Sequence, residues 1–334
     1  MKEPFLVVTS IANQKHPILK LLARRASSLS IPFIVIGDKK SPRTFHVQGC
    51  DFYSNERQKT LDFELKERLP VNHYARKNLG YLIAMSKGAK IIVETDDDNY
   101  PLDSFWDSRN KHIKAYLIKE KGWVNVYKYF SDINIWPRGF ALEHIKNKTP
   151  KLGDISTIYC PIQQGLADGN PDVDAIFRLI SPLPIKFKNN GAIALGKNTF
   201  CPFNSQNTTW FKEAFPLLYL PSFCSFRMTD IWRSFVAQRV AWSCDWPIVF
   251  HQSTMKQERN EHNLMKDFEE EIPGYINNSL ILNSLKQMTL QEGVKNIPTN
   301  MLKCYEKLIS LGLIRKEEIA LLKSWLKDIY SFLK

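Results

Sequence analysis

The chain has 334 residues, 44% of them hydrophobic and 12% aromatic, and a formal charge of +12. This composition excludes a disordered chain and accommodates one large α/β domain with an appendage, or two small domains. The basic surplus favours anionic partners such as nucleotide phosphates, anionic lipid head groups or nucleic acid, without choosing among them. Cys50, Cys160, Cys201, Cys224, Cys244 and Cys304 are scattered and form no C-x-x-C pair. That argues against a zinc site or disulfide framework and fits reduced thiols in a cytoplasmic protein. The apolar run at the start is too short for a signal peptide, and no uncharged stretch is long enough to span a membrane.

In chain order, Phe5 to Val8 reads as a buried strand ending in Thr9-Ser10-Ile11. Pro17 to Leu29 has helical apolar spacing at Ile18, Leu21, Leu22 and Ala26, and Pro32 to Ile36 is a second strand closed by Gly37-Asp38. Strand, helix, strand predicts a βαβ unit and hence a parallel sheet. Ligands bind such sheets beyond the carboxyl ends of the strands, where Thr9-Ser10 and Gly37-Asp38 fall. Tyr74 to Ser86 reads as a helix with Gly88 as its C-cap, and Ala89 to Glu94 as a strand running into Thr95-Asp96-Asp97-Asp98-Asn99. From about Trp106 to Asn190, turn formers such as Trp136-Pro-Arg-Gly139 and Asp168-Gly-Asn-Pro171 predict loops and short strands over the active face. Cys201 to Trp210 is polar and turn-rich. Asp230 to Trp242 is helical, and the tail from Ile281 onward is a helical appendage. Within it, apolar residues recur at 319, 322, 325, 326, 329, 330 and 333. Two segments are expected: residues 1–270, carrying the chemistry, and a helical extension over 271–334.

The strongest chemical signal is the delivery of Asp96, Asp97 and Asp98 to one loop by a short strand. Like charges so close resist full ionisation unless a cation sits among them. Mg²⁺ or Mn²⁺ suits carboxylate and phosphate oxygens and would stabilise a departing diphosphate. Asp98 would equally suit a helix N-cap. Arg76-Lys77, at the start of the preceding helix, could reach a diphosphate. In Arg227-Met-Thr-Asp-Ile-Trp232, Asp230 is a candidate general base or acceptor-hydroxyl ligand, and alternatively an N-cap. His251 ends a strand, where it could serve as a third metal ligand or be structural.

Together these segments resemble the STELLO family of glycosyltransferase-like proteins and, more distantly, the reversibly glycosylated polypeptides, the UDP-arabinopyranose mutases. The likeness rests on Arg76-Lys-Asn-Leu-Gly-Tyr81, Glu94-Thr-Asp-Asp-Asp98, Phe200-Cys-Pro-Phe-Asn-Ser-Gln-Asn-Thr208, Leu218-Tyr-Leu-Pro221 and Phe226-Arg-x-x-Asp-Ile-Trp-Arg233. It covers roughly residues 5 to 265; the region after about residue 270 carries no such motif. The resemblance implies a GT-A fold with a D-x-D metal motif. On it, Thr9, Ser10, Ile11 and Asp38 hold the nucleoside, Arg76 and Lys77 approach the diphosphate beside Asp97, Asp96 and Asp98 form the metal motif with His251, and Asp230 acts on the acceptor. Unlike plant STELLO proteins, this chain is expected to carry no membrane anchor.

The function expected is therefore transfer of a sugar from a nucleoside diphosphate sugar, with UDP the expected carrier, to a glycan or lipid-linked acceptor in polysaccharide biosynthesis, assisted by Mn²⁺ or Mg²⁺. The rivals are a nucleotide-sugar mutase and a non-catalytic nucleotide-sugar-binding scaffold. Nucleic-acid binding rests on net charge alone, with no motif for it. Peripheral contact with the cytosolic membrane face is a further expectation, with Leu322, Trp325, Leu326 and Ile329 facing lipid and Lys323, Lys327 and Lys334 near head groups; the rival reading is that this stripe packs on the catalytic domain.

Overall fold

The computed structural model describes residues 4–258 and 263–333, so Lys334 lies outside the described residues. The strands are β1 (Phe5–Thr9), β2 (Phe33–Ile36), β3 (Asp51–Tyr53), β4 (Ile91–Thr95), β5 (Asn99–Pro101), β6 (His112–Ile118), β7 (Gly122–Trp123), β8 (Ile155–Tyr159), β9 (Ile162–Gly169), β10 (Ala192–Leu195), β11 (Thr199–Phe200), β12 (Asn207–Phe211) and β13 (Ile248–Gln257). The helices are α1 (Pro17–Ser28), α2 (Asn55–Lys59), α3 (Lys77–Ser86), α4 (Ala175–Ile180), α5 (Thr229–Ala241), α6 (Leu264–Gln287), α7 (Ile297–Ser310) and α8 (Glu318–Leu333).

One large sheet runs β3-β2-β1-β4-β12-β9-β13-β10-β6-β8, with β5 added to β13. The expected βαβ unit is its founding block: β3, β2, β1 and β4 are all parallel. From β12 onward the sheet is mixed, with β12 antiparallel to both β4 and β9. The fold is α/β, a large sheet flanked by helices with a helical C-terminal region, consistent with a GT-A-like arrangement.

Helix α3 lies directly on the parallel block. At Gly80 a Cβ would come within 2.5 Å of Val7 Cγ1, so only glycine permits this approach. Its C-terminus ends as expected on Gly88, at φ +84°, with the Ala89 N–H returning to the Ala84 carbonyl at 3.0 Å. Between α3, β4 and α5 lies a buried polar knot. Arg233 donates to Glu94 at 2.9 Å, and the Trp210 indole donates to the other Glu94 oxygen at 2.9 Å. The Tyr81 hydroxyl completes the set.

The segment read as loops and short strands over the active face also contributes β9, an eight-residue strand in the middle of the sheet. Its Gln163 and Gln164, like Asn207 and Thr208 of β12, are buried. Each is satisfied internally: the Asn207 amide, for example, reaches the Leu166 carbonyl at 2.9 Å and Thr254 Oγ1 at 2.8 Å.

The helices of the C-terminal region share the central core. Ile281, Leu285, Tyr305, Leu308, Leu322 and Trp325 belong to one buried cluster with residues of α3 and α5. For α8 this is the packing alternative, and it corrects the lipid-facing one. Leu322 and Trp325 are fully buried, Ile329 is 1% exposed, and the Trp325 indole donates to the Pro216 carbonyl at 2.9 Å. Each such side chain gains about 1.5–3 kcal/mol from burial, which turning the stripe to lipid would forfeit. Among the described residues no helix is long and apolar enough to cross a membrane.

Candidate functional site

The loops following β1, β2 and β4 emerge side by side because these three strands are adjacent and parallel. They build two clefts that share Thr9, Tyr74, Asp97 and Phe226 and so form one continuous trough. The first cleft is lined by Asp96, Asp97, Asp98, Arg138, Asp172, Arg178, Ser205, Arg227, Asp230 and Gln257. The second is lined by Ser10, Ile11, Gly37, Asp38, Asn72, His73 and Arg76. Of the residues expected at the site, Thr9, Ser10, Ile11, Asp38, Arg76, Asp96, Asp97, Asp98 and Asp230 all face this trough.

Lys77 does not line it, and Arg76 lines it from a buried position. Lys77 has no exposed surface. Its ammonium is held by the Thr95 carbonyl at 2.9 Å and Asp96 Oδ1 at 2.7 Å, so it anchors the acidic loop from beneath and does not reach for a ligand. Arg76 does line the second cleft. It is buried, its guanidinium donates to Gln58 Oε1 at 2.8 Å and to the carbonyls of Leu69 and Pro70, and the charged group acting on it is Asp38 of the same cleft. Asp38 fixes the chain opposite, accepting from the His73 N–H at 2.9 Å.

The acidic loop is crowded. Burial, then the neighbouring Asp96 and Asp97, push the Asp98 carboxyl up to about 7, although the Gln257 amide donates to Asp98 Oδ2 at 2.8 Å. Burial also raises Asp96 against the pull of Lys77. The helix-cap reading of Asp98 fails, because the chain passes from this loop straight into β5.

His251 does not join the carboxylates. It lines neither cleft, its Nδ1 lies 3.1 Å from the Gln252 carbonyl, and burial and Arg109 lower its pKa to about 4. Two register shifts in β13, between His251 and Met255, precede the residue that does reach the loop, Gln257. Among the described residues no three His, Cys, Asp or Glu side chains are arranged to hold a metal ion. Three buried oxygens around the loop nevertheless have no hydrogen-bond partner: Thr95 Oγ1, Asn99 Oδ1 and Gln257 Oε1. Oxygen donors beside two carboxylates fit a hard divalent cation that takes its remaining ligands from phosphate. Asp96 and Asp98 fit that role; His251 does not.

Asp230 occupies the first turn of α5, after Met228 as N-cap. Arg138 grips it with Nη1 to Oδ1 at 3.0 Å and Nη2 to Oδ2 at 2.9 Å, and the Ser205 and Ile231 N–H groups donate to it at 3.2 and 3.0 Å. Burial would raise this carboxyl; Arg138 outweighs burial, aided by Arg233 and the Ser205 N–H, and brings it down to about 2. A carboxylate so held is a poor proton acceptor at neutral pH, which argues against the general-base role. Arg138 also bonds both oxygens of Asp172, at 2.7 and 2.9 Å. Gly139 makes this pairing possible: its φ is +84°, and a Cβ there would lie 2.3 Å from Ile231 Cγ2. Arg138, Asp172 and Gln257 were not anticipated from the sequence. The Trp136-Pro-Arg-Gly139 turn holds Arg138, and the Asp168-Gly-Asn-Pro171 turn precedes Asp172; neither signals the pairing.

Residues 227–333 match the family model of the STELLO glycosyltransferases. The match runs through α6, α7 and α8, a region in which no family motif was recognised from the sequence. The chain is 28% identical over 246 residues to probable glycosyltransferase STELLO2 of Arabidopsis thaliana, covering 66% of this chain and 32% of the relative. It is 30% identical over 230 residues to probable glycosyltransferase STELLO1 of the same plant, covering 63% of this chain and 30% of the relative. The matched region thus spans about a third of the length of these relatives. The chain, whose acidic loop and α5 motif meet at one trough, is thus similar to the STELLO glycosyltransferases over this part of their length.

Proposed function

We propose that this protein transfers a glycosyl group from a nucleoside diphosphate sugar, with UDP as carrier, to a glycan or lipid-linked acceptor. The observation that carries this reading is the continuity of the two clefts. One offers Thr9, Ser10, Ile11 and Asp38 for a nucleoside, with Arg76 in its wall, and the other an acidic loop that a divalent cation would bridge to phosphate. A nucleoside diphosphate sugar has this order of parts: a neutral nucleoside, an anionic bridge, a sugar at the reacting end.

Asp96 and Asp98 would hold the divalent cation together with diphosphate oxygens. When bound, it would act as a Lewis acid on the leaving diphosphate. Lys77 fixes Asp96 in place, and Gln257 orients Asp98. Asp230 acts as a positioning residue: it holds Arg138, whose Nη1 in turn donates to the Arg227 carbonyl and so shapes the acceptor end of the trough. The test is incubation with a panel of UDP-sugars, Mn²⁺ and candidate glycan and lipid-linked acceptors, with products read by mass spectrometry. Transfer that disappears in Asp98→Asn supports the reading. Isomerised sugar nucleotide formed without any acceptor would replace it with a mutase.

A further inference from the structure

Phe226 lines both clefts and is 44% exposed, an unusual position for a phenylalanine that has buried neighbours to pack on. Its ring meets those of Tyr74 and His73 edge to face, with centroids 5.1 and 5.3 Å away. The loop that carries it is held from behind by the C-terminal helices. Glu318, at the start of α8 and fully buried, accepts from the N–H groups of Ser222 at 3.0 Å and Phe223 at 2.7 Å, and from the Tyr219 hydroxyl. The Arg315 N–H donates to the Phe223 carbonyl at 3.2 Å. Ser225 Oγ donates to the Glu270 carbonyl of α6, and Arg227 pairs with Glu271 at 2.7 Å. Every residue from Ser222 to Arg227 except Cys224 and Phe226 is thereby tied to residues 270–318, and Phe226 projects from the tied segment into the trough.

We propose that Phe226 is a preformed platform for a ring of the nucleotide-sugar ligand, and that Glu318 is the positioning residue that fixes it. An aromatic ring held rigid before binding contributes contact area without an ordering cost, which is the general advantage of preorganisation. The proposal gives α6 and α8 a part in ligand binding although neither supplies a side chain to the trough. It rests on the nucleotide-sugar reading above. The ring in question is the nucleobase or the transferred sugar, and the two are separable by experiment.

The test is calorimetry of UDP and of UDP-glucose, each with Mn²⁺, on the full chain. Phe226→Ala is expected to fold normally, since the ring lies on the trough wall outside the core, and to bind on the order of tenfold more weakly. Loss for both ligands assigns the ring to the nucleobase; loss for UDP-glucose alone assigns it to the sugar. Unchanged affinity for both overturns the platform. Glu318→Gln is expected to weaken binding in the parent protein but to add nothing in the Phe226→Ala background, because both changes act through one ring. Full additivity overturns the positioning role. Ile329→Ala, a core change elsewhere in α8, controls for lost stability and should leave affinity unchanged. If Glu318→Gln does not fold, Ser225→Ala enters the same cycle with the same expectation. Failure of the parent to bind either ligand would remove the nucleotide-sugar reading itself, whereas parental binding with an indifferent Phe226→Ala removes only the platform.

Discussion

Arg138 and Asp230 form a two-point ion pair, at 3.0 and 2.9 Å, in which the arginine is 7% and the aspartate 6% exposed at the side chain. Removing one partner of a buried pair leaves the other uncompensated, at about 3–5 kcal/mol; Asp172 retains part of the Arg138 charge, so the lower end applies here. Asp230→Asn should therefore lower unfolding free energy by about 3 kcal/mol in urea titrations. Its acid sensitivity has a definite sign. The folded carboxyl titrates at about 2, below its usual value of 3.8, so its contribution is present above that value and is lost as pH falls toward 2. A variant with parental stability and no turnover would restore the general-base role.

The parts of this site that were legible in sequence are those set by local pattern. β1, α1 and β2 follow from apolar periodicity, and the acidic loop follows from a strand ending in like charges. Arg138 and Asp172 were not legible because their pairing is tertiary and lies in a segment dominated by turn formers. β9 and β12 were missed for a related reason. Gln163, Gln164, Asn207 and Thr208 are polar in composition yet buried, and only the assembled sheet supplies their partners. His251 was expected at the acidic loop, where Gln257 stands instead, because bulges in β13 break the alternation that places a strand residue on a face.

Asp98→Asn should separate crowding from structure. The Asp98 carboxyl titrates at about 7 in the fold against an ordinary 3.8, so its ionised form costs stability as pH rises between those values. The variant should be at least as stable as the parent at pH about 8 in the presence of a chelator. It should also lose any rise in Tm caused by Mn²⁺ with UDP. Thermal unfolding with and without the cation reads both effects. A strongly destabilised apo variant would contradict this account of the loop.

His251→Gln should act on acid stability alone. With the ring at about 4 in the fold against 6.5 ordinarily, the neutral form is favoured on folding. Its contribution is full above 6.5 and is lost as pH falls toward 4. The fall in Tm between pH about 7 and about 5 should therefore be smaller in the variant. Mn²⁺ affinity, followed by loss of the free-ion EPR signal, should not change. A tenfold weaker Mn²⁺ affinity would return His251 to the metal site.

The central claim is that the acidic loop and the adjoining cleft hold a nucleoside diphosphate jointly with a divalent cation. Calorimetric titration of UDP into the full chain, in Mn²⁺ and again in excess chelator, tests it most directly. The account predicts binding at least tenfold tighter with the cation, and no such gain in Asp98→Asn. Equal UDP affinity in Mn²⁺ and in chelator would contradict it.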